Sequence, residues 1–364
     1  MNRKKDLFVC AVFCFILASF FTLQIALPDE EVSVSERRKK QQFPEISVSR
    51  VMNGKFISEF EKYLADQFPL RDSLRRLKAA VHFNVFAQKD NNNIYTADGH
   101  IGEFSAGINV KSVDNFCRKI TSVYDKLIKG SDCKVYYSII PDKNRFIAQQ
   151  NSYPCFDYNE LYATVSQKLS YMTKIEIDSL LSADSYYRTD SHWKQEKILP
   201  VAEKINTEMG HPFNRDNTEK KLGEFHGVYY PRLALDFEKD KLITINNKAI
   251  ESSITYNYET KKESPVYNTD FLSGDDAYQV FLSGSVSLIE INNPTAESDS
   301  ELVIFRDSFG SSLAPLLLSN YRKVTVVDTR YIMPSYLNEY LTFDSQDVLF
   351  IYSTMLVNNS ELLK

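Results

Sequence analysis

Helix and strand patterns alternate along the chain from residue 113 onward. Some stretches carry apolar residues at helical spacing, and others are short continuous runs of β-branched and aromatic residues. The helical stretches are residues 116–127, 161–172 and 198–205, and the strand-like runs are residues 134–140, 174–177, 302–305, 324–327 and 348–352. Such alternation is typical of a parallel sheet covered by helices on both faces, with ligands at the carboxyl ends of its strands. We therefore predict a doubly wound α/β domain over residues 113–364.

One stretch inside this domain departs from the alternation. Residues 225–294 contain short β-prone pieces, residues 242–245 and 278–282, which polar turns separate. We interpret this stretch as an insertion of strands and loops.

The residues before the α/β domain carry a different pattern. Apolar residues at helical spacing in residues 56–64 and 70–81 predict two helices, each with one buried stripe, and Pro69 separates them. We assign residues 51–112 to an N-terminal helical segment. Its second helix has a basic face, which indicates a solvated surface or, alternatively, contact with anionic lipid. The basic residues are Arg71, Arg75, Arg76 and Lys78.

The N-terminus carries an apolar run over residues 7–27, preceded by Arg3, Lys4 and Lys5. The run reaches the ~20 residues that a membrane-spanning helix needs, and its basic flank predicts a cytoplasmic N-terminus. A cleaved signal peptide is the alternative, but its apolar core would span only about 7–15 residues. We predict a tail and single-pass signal anchor over residues 1–28, which places the rest of the chain, after about Pro28, outside the cytoplasm.

Residues 29–50 are charged and lack apolar periodicity. This composition is typical of a spacer above the membrane, and we expect it to lack fixed structure.

Charge and cysteine content exclude several classes of protein. The chain has 43 Lys and Arg against 48 Asp and Glu, a net charge of −5, so it offers no basic footprint for nucleic acid. Outside the apolar run, Cys117, Cys133 and Cys155 allow at most one intramolecular disulfide, with the pairing open. No Cys-x-x-Cys or His-x-x-x-His spacing occurs, so we predict neither a metal site nor a cofactor.

Candidate chemistry lies in two short motifs. The strand-like run 302–305 stops at Asp307-Ser308, where a helical stretch begins, and such an elbow presents a hydroxyl as a nucleophile. Far upstream, Asp190-Ser191-His192-Trp193 supplies an imidazole beside a carboxylate. We expect both motifs at strand ends that lead into helices, where Ser308, His192 and Asp190 would form a triad. The structural alternative is that both motifs only cap helices.

These motifs resemble those of the DHHW proteins and of the AlgJ/AlgX-type alginate O-acetylation proteins. The resemblance rests on Asp190-Ser191-His192-Trp193 and on Arg306-Asp307-Ser308-Phe309. It extends to Tyr63-Leu64-Ala65-Asp66-Gln67-Phe68-Pro69-Leu70-Arg71-Asp72 and to Asp328-Thr329-Arg330-Tyr331. It implies an SGNH-hydrolase-like fold with a permuted motif order, in which the aspartate and the histidine precede the serine.

The resemblance also implies a function. Ser308 would take an acetyl group, His192 would act as general base and Asp190 would hold the imidazole tautomer. The acceptor would be a cell-surface or secreted polysaccharide, and the acetyl group would come from a membrane-bound O-acyltransferase partner. The alternatives are an acetylesterase on the same glycan, and a catalytically weak scaffold that binds glycan or a membrane partner.

Two positions depart from the family pattern. Ser191 stands where the signature has a second histidine, and Ser285 follows Gly284 where related proteins often have asparagine. If that asparagine is an oxyanion donor, its loss costs on the order of 10²–10³ in rate. We assign Gly284, Ser285, Trp193 and Arg306 to oxyanion stabilisation or substrate binding.

Overall fold

The computed structural model describes residues 3–33, 35–36, 38–105 and 107–364, and it divides into two units. One unit is Met1–Asn92 with Pro231–Asp236, and the other is Asn93–Tyr230 with Phe237–Lys364. The α-helices are α1 (Arg3–Ala26), α2 (Val48–Met52), α3 (Lys55–Asp66), α4 (Arg71–Asn84), α5 (Val110–Val123), α6 (Asn144–Ile147), α7 (Tyr158–Lys168), α8 (Leu199–Glu208), α9 (Tyr230–Leu233), α10 (Lys248–Ser252), α11 (Gly310–Leu317) and α12 (Thr354–Val357).

The strands follow the same chain order. They are β1 (Val32–Ser33), β2 (Arg38–Lys39), β3 (Ile94–Ala97), β4 (His100–Glu103), β5 (Lys134–Ile140), β6 (Thr173–Lys174), β7 (Thr218–Phe225), β8 (Asp240–Asn246), β9 (Ile254–Asn257), β10 (Lys262–Pro265), β11 (Leu288–Asn292), β12 (Glu301–Arg306), β13 (Lys323–Val327) and β14 (Asp347–Ser353).

An eight-stranded sheet organises the second unit. Its strand order is β10-β9-β11-β13-β12-β14-β5-β6. The pairings from β13 to β6 are parallel, and those among β10, β9, β11 and β13 are antiparallel. Helices α8 and α11 cover one face, and α5, α7 and α12 cover the other. The predicted doubly wound α/β fold is therefore confirmed.

Strand β12 shows why the predicted strands were continuous apolar runs. Leu302 and Ile304 pack into the core on one face of the sheet, and Val303 and Phe305 pack into the core on the other. Because successive side chains of a strand point to opposite faces, a strand buried on both faces needs apolar residues at every position. The run has no polar side for water.

The strands within residues 225–294 have two different settings. Strand β8 pairs with β7, which ends at Phe225, whereas β9, β10 and β11 extend the central sheet. The predicted strand over residues 278–282 is wrong, because Ala277–Val280 is a 3-10 turn. The Asp276 carboxylate accepts from the Tyr278 amide at its start, and Leu282 at φ 56° and Gly284 at φ 86° adopt left-handed backbone that no strand continues.

In the first unit both predicted helices are present, as α3 and α4, but the predicted burial of their apolar stripes is wrong in part. Phe56 and Phe60 are half-buried against Phe43, whereas Leu70 and Leu77 are exposed. The sequence pattern identifies the apolar face of a helix but not whether another element covers it.

The expectation that residues 29–50 lack fixed structure is also wrong. Strands β1 and β2 form a hairpin, and Arg38 donates two hydrogen bonds, of 2.7 and 2.6 Å, to the Asp66 carboxylate on α3. The Gln41 amide donates to the same carboxylate over 2.8 Å. The hydrogen bond from Arg38 is the main reason that the pKa of Asp66 falls to about 2. Ion pairing gives this segment a structure that apolar periodicity could not predict.

Helix α1 is long and apolar enough to cross a membrane by length and composition, and none of its residues is buried.

Candidate active site

Ser308 stands on a tight elbow between β12 and α11. The Asp307 carboxylate fixes this elbow, because it accepts from the Phe309 amide over 3.0 Å and from the Ser353 amide and hydroxyl over 2.8 and 2.6 Å. A Cβ atom on Gly310 would lie 2.5 Å from the Arg306 Cβ, so the turn into the helix needs glycine there. Ser308 is left partly exposed at the carboxyl edge of the parallel strands, as predicted.

The second motif lies on a loop, not between a strand and a helix, so that part of the prediction is wrong. An isolated bridge between Tyr186 and Trp193 closes the loop, and the Tyr187 amide donates to the His192 carbonyl over 3.1 Å. The rings of Tyr186 and Tyr187 are fully buried in the core. The predicted strand over residues 174–177 is only Thr173–Lys174, and two 3-10 turns separate it from the motif.

The structure brings the three predicted residues together. His192 Nε2 lies 2.8 Å from Ser308 Oγ, and His192 Nδ1 lies 2.6 Å from Asp190 Oδ1. Burial alone would raise the pKa of Asp190. Attraction to His192 and hydrogen bonds from its ring and amide outweigh burial and hold the pKa well below its ordinary value. A carboxylate that stays ionised fixes the proton on Nδ1 and leaves Nε2 facing the serine.

Backbone amides hold the far side of the Asp190 carboxylate. The Val228 amide donates to Asp190 Oδ2 over 2.9 Å, and the Gly227 amide donates to Thr189 Oγ1 over 2.7 Å. Thr189 in turn donates to Asp240 through its amide, over 2.7 Å, and its hydroxyl, over 2.6 Å. The Val228 bond opposes rotation of the carboxylate away from the imidazole, and the other bonds fix the neighbouring backbone at Thr189 and Gly227.

Aromatic rings hold the imidazole plane. The ring of Tyr278 stacks on that of His192, with centroids 3.9 Å apart and planes 9° apart. The Phe309 ring packs on His192 at 4.9 Å. The Tyr278 hydroxyl lies 2.8 Å from Ser312 Oγ on α11. Sequence analysis missed Tyr278, because it lies far from both motifs along the chain and looked like part of a strand.

Lys143 is a buried lysine behind the loop, and sequence analysis missed it as well. Its Nζ donates to the Tyr187 carbonyl over 2.8 Å and lies 5.1 Å from the centre of the Tyr229 ring. Burial lowers the pKa of Lys143 to about 7, although the charges of Asp190 and Asp240 oppose this shift. The available signal was the end of the predicted strand at residue 140, three residues before Lys143, which places Lys143 at this edge of the sheet.

The remaining predicted site residues have different environments. Trp193 and Arg306 are fully buried and present no surface to a ligand. Trp193 Nε1 donates to the Phe309 carbonyl over 3.1 Å and so links the loop to the elbow. Arg306 pairs with Asp328 over 3.1 Å. Burial lowers the pKa of Arg306.

Gly284 and Ser285 lie in the turn before β11. Gly284 is buried, and its carbonyl lies 3.5 Å from Arg306 Nη2, whereas Ser285 is exposed. Among the described residues, the Ser308 amide donates to no protein acceptor, while the Phe309 amide is taken by Asp307. A nucleophile, a base, an orienting carboxylate and a backbone donor thus meet at one sheet edge, which is the set that acyl transfer requires. No group of three or more potential metal ligands occurs in the described part of the chain.

Comparison with solved structures supports the fold. A DHHW family protein from Eubacterium siraeum DSM 15702 is similar with a TM-score of 0.61 and 18% identity, over 75% of this chain and 95% of that one. Bacillus cereus PatB1 with a sulfonyl adduct is similar with a TM-score of 0.57 and 17% identity, over 72% of this chain and 95% of that one. At such identities the likeness concerns the fold alone.

Comparison with sequences identifies the family. No curated protein matches the chain. The model of the DHHW protein family matches residues 104–327, which is more than half of the chain and contains both the Asp190 loop and the Ser308 elbow. The chain therefore belongs to the DHHW family.

Proposed function

We propose that this chain is a membrane-anchored O-acetyltransferase that acts outside the cytoplasm on a carbohydrate, through Ser308, His192 and Asp190. The observation that carries the proposal is the continuous line from the Asp190 carboxylate through the imidazole to Ser308 Oγ, with contacts of 2.6 and 2.8 Å. Both distances lie within the reach that proton transfer needs.

The geometry supports a two-step reaction. Ser308 Oγ attacks the acetyl carbonyl as His192 Nε2 takes its proton, and the developing oxyanion accepts from the Ser308 amide. His192 then returns the proton to the leaving group, and an acetyl ester remains on Ser308. In the second step His192 takes a proton from the acceptor hydroxyl as its oxygen attacks the ester, and then gives this proton to Ser308 Oγ as the bond to the acetyl group breaks. The Asp190 carboxylate stabilises the imidazolium in both steps.

The acetyl group, the acceptor and the donor follow from the family resemblance. The motifs around His192 and Ser308 resemble those of O-acetylation proteins, and we propose a polysaccharide acceptor and a membrane-bound O-acyltransferase as acetyl donor. Helix α1 supports anchoring, because its length and composition fit a membrane span. The basic residues before α1 favour a cytoplasmic N-terminus.

A covalent label tests the nucleophile. PatB1, whose fold is similar, has been solved with a sulfonyl adduct, and sulfonyl fluorides react with activated serines. The full chain in lipid nanodiscs should become sulfonylated on the peptide that contains Ser308, and Ser308→Ala should abolish this. Ser311→Ala is the matched control, because Ser311 is a buried serine in the next turn. Labelling of Ser308→Ala at the rate of the unmodified chain would refute the proposal.

Partition of the acyl-enzyme separates transfer from hydrolysis. An acetylated Ser308 can lose its acetyl group to water or to a sugar hydroxyl, so an esterase would use the same residues. Adding an oligosaccharide to an aryl acetate assay should divert acetate to acetylated sugar if the chain is a transferase. Free acetate alone would favour the esterase, and absence of turnover with intact glycan binding would favour a scaffold.

A further inference from the structure

An unpartnered apolar face on α4 distinguishes the first unit from an ordinary helical segment. Leu70, Leu74 and Leu77 are 65%, 40% and 59% exposed. Their spacing of four and three residues places them on one side of the helix. Helix α3 and the corner that follows it add three more exposed apolar residues, Ile57, Leu64 and Phe68. We call these six residues the apolar platform.

The platform is continuous with the membrane-spanning candidate α1. The ring of Phe68 stacks on that of Phe20, with centroids 5.2 Å apart, and Gln24 Nε2 donates to the Gln67 carbonyl over 3.0 Å. Phe20 lies roughly 9 Å before the end of α1 at Ala26, because a helix rises about 1.5 Å per residue. Where α1 spans a bilayer, Phe68 is therefore at the depth of the outermost acyl chain segments.

Two arginines of α4, Arg71 and Arg75, are turned toward a protein partner, whereas the Arg76 side chain is mostly exposed. Arg71 pairs with Glu36, and Arg75 lies 3.4 Å from the same carboxylate. Burial lowers the pKa of Arg75. Glu36 already neutralises part of this basic face. We therefore expect insertion of apolar side chains, and not attraction to anionic lipid, to contribute most to membrane binding.

The backbone at the corner supports the same view. Leu70 adopts a left-handed conformation, with φ of 58°, which residues with a side chain rarely adopt. The side chain presented in this way is a leucine that is mostly exposed to solvent. A strained, exposed apolar residue beside the end of an apolar helix fits a lipid environment better than water.

We propose that α3 and α4 lie in the bilayer interface at the C-terminal end of α1, with the apolar platform inserted among the acyl chains and the Phe68-Leu70 corner deepest. The proposal depends on the membrane anchoring proposed above but not on the acyl-transfer chemistry. A protein partner in place of lipid is the competing occupant.

Tryptophan fluorescence in brominated lipid tests the platform. The chain has one tryptophan, Trp193, which is fully buried in the other unit and serves as an unquenched internal reference. Leu70→Trp is the reporter, and Phe13→Trp in α1 is the positive control. Val110→Trp is the matched negative control, because Val110 is 58% exposed at the start of α5 in the second unit.

The full-length variants would be placed in nanodiscs made of zwitterionic lipid and this chain alone. We expect bromine near the headgroup to quench Leu70→Trp at least half as strongly as bromine near the acyl-chain centre quenches Phe13→Trp. The depth should be within about 5–10 Å of the boundary between headgroups and acyl chains. Val110→Trp measures quenching that does not come from the platform, and Leu70→Trp should be quenched more strongly than Val110→Trp.

Two results would overturn the inference. Quenching of Phe13→Trp without quenching of Leu70→Trp would show that α1 spans the membrane but that the platform is reserved for a protein partner. Absence of quenching in both variants would refute the membrane anchoring and the platform together. An unchanged emission from Trp193 checks that each variant is folded.

Discussion

Replacement of Gly227 is a sharp test of the proposed site, because glycine is needed there only for lack of space for a side chain beside Asp190. A Cβ atom on Gly227 would lie 2.2 Å from the Asp190 Cβ, 2.4 Å from its Cα and 2.5 Å from its amide nitrogen. Gly227 touches neither His192 nor Ser308 in this structure through any hydrogen bond or ring contact. Gly227→Ala should therefore damage the reaction only by moving Asp190.

The expected size of the effect follows from these distances. Ordinary contacts between carbon atoms are about 3.5–4.0 Å, so the two segments must separate by more than roughly 1 Å. This displacement would break the 2.9 Å hydrogen bond from the Val228 amide to Asp190, a bond to a charged group worth about 1.5–3 kcal/mol. A misplacement of ~1 Å in a catalytic constellation costs on the order of 10²-fold in rate. Overpacking should also destabilise the fold by about 1–3 kcal/mol.

The assay is the second-order rate of Ser308 sulfonylation, followed by mass spectrometry well below the melting temperature of the variant. Gly223→Ala is the control, because nothing lies within 4 Å of a Cβ atom at Gly223. We expect Gly227→Ala to react about 10²-fold more slowly and Gly223→Ala to react at the unmodified rate. A folded Gly227→Ala that reacts at the unmodified rate would show that the position of Asp190 does not control the nucleophile.

Three further predictions follow from the contacts around the site. Asp190→Asn should lower the acyl-transfer rate by about 10⁴-fold, since an amide favours the wrong imidazole tautomer; a loss below about tenfold would contradict this role. Tyr278→Leu removes the ring stacked on His192, whereas Tyr278→Phe keeps a ring there. The activation free energy of the reaction should therefore be about 0.5–1.5 kcal/mol higher in Tyr278→Leu than in Tyr278→Phe. Equal rates would argue against stacking. Burial raises the pKa of Glu196 from 4.5 to about 6. Between these two pH values the folded chain still holds a proton that the unfolded chain has released, so the free energy of unfolding falls as pH rises through this range. Glu196→Gln should therefore stabilise the fold by about 1 kcal/mol at pH 8, allowing for partial exposure, and not below about pH 4, as measured by urea unfolding.

The sequence was sufficient to predict those elements whose conformation depends only on neighbouring residues in the chain. The apolar run before Asp307 predicted β12 because a strand buried on both faces has no polar position, and the elbow at Ser308 follows from the strand end. His192 could be selected because it stands two residues after a carboxylate. The partnership of His192 with Ser308 across the chain came from assuming that strand ends gather at one edge.

The sequence was insufficient where the answer depends on a distant partner. Tyr278 contacts the imidazole only because a 3-10 turn brings it there, and the side chain of Asp276 that starts this turn is an ordinary polar residue in the sequence. Arg38 belonged to a charged segment without periodicity, yet Asp66 gives it a fixed position. The stripe containing Leu70 and Leu77 was identified correctly as one face, but periodicity does not specify what covers it.

The conformation of the Asp190 loop is fixed although its backbone is not paired in a β-sheet. Its backbone groups form hydrogen bonds with side chains instead. Lys143 donates to the Tyr187 carbonyl, and the Asp240 carboxylate accepts from the amides of Arg188 and Thr189. A buried lysine and a buried aspartate thus hold adjacent peptide units, and the charge of Asp240 opposes part of the fall in the pKa of Lys143 that burial causes. Because these bonds act on the loop and not on the central sheet, their loss should misalign the imidazole before it unfolds the domain. Substitutions of Lys143 or Asp240 should therefore lower the reaction rate more than they lower the stability of the domain.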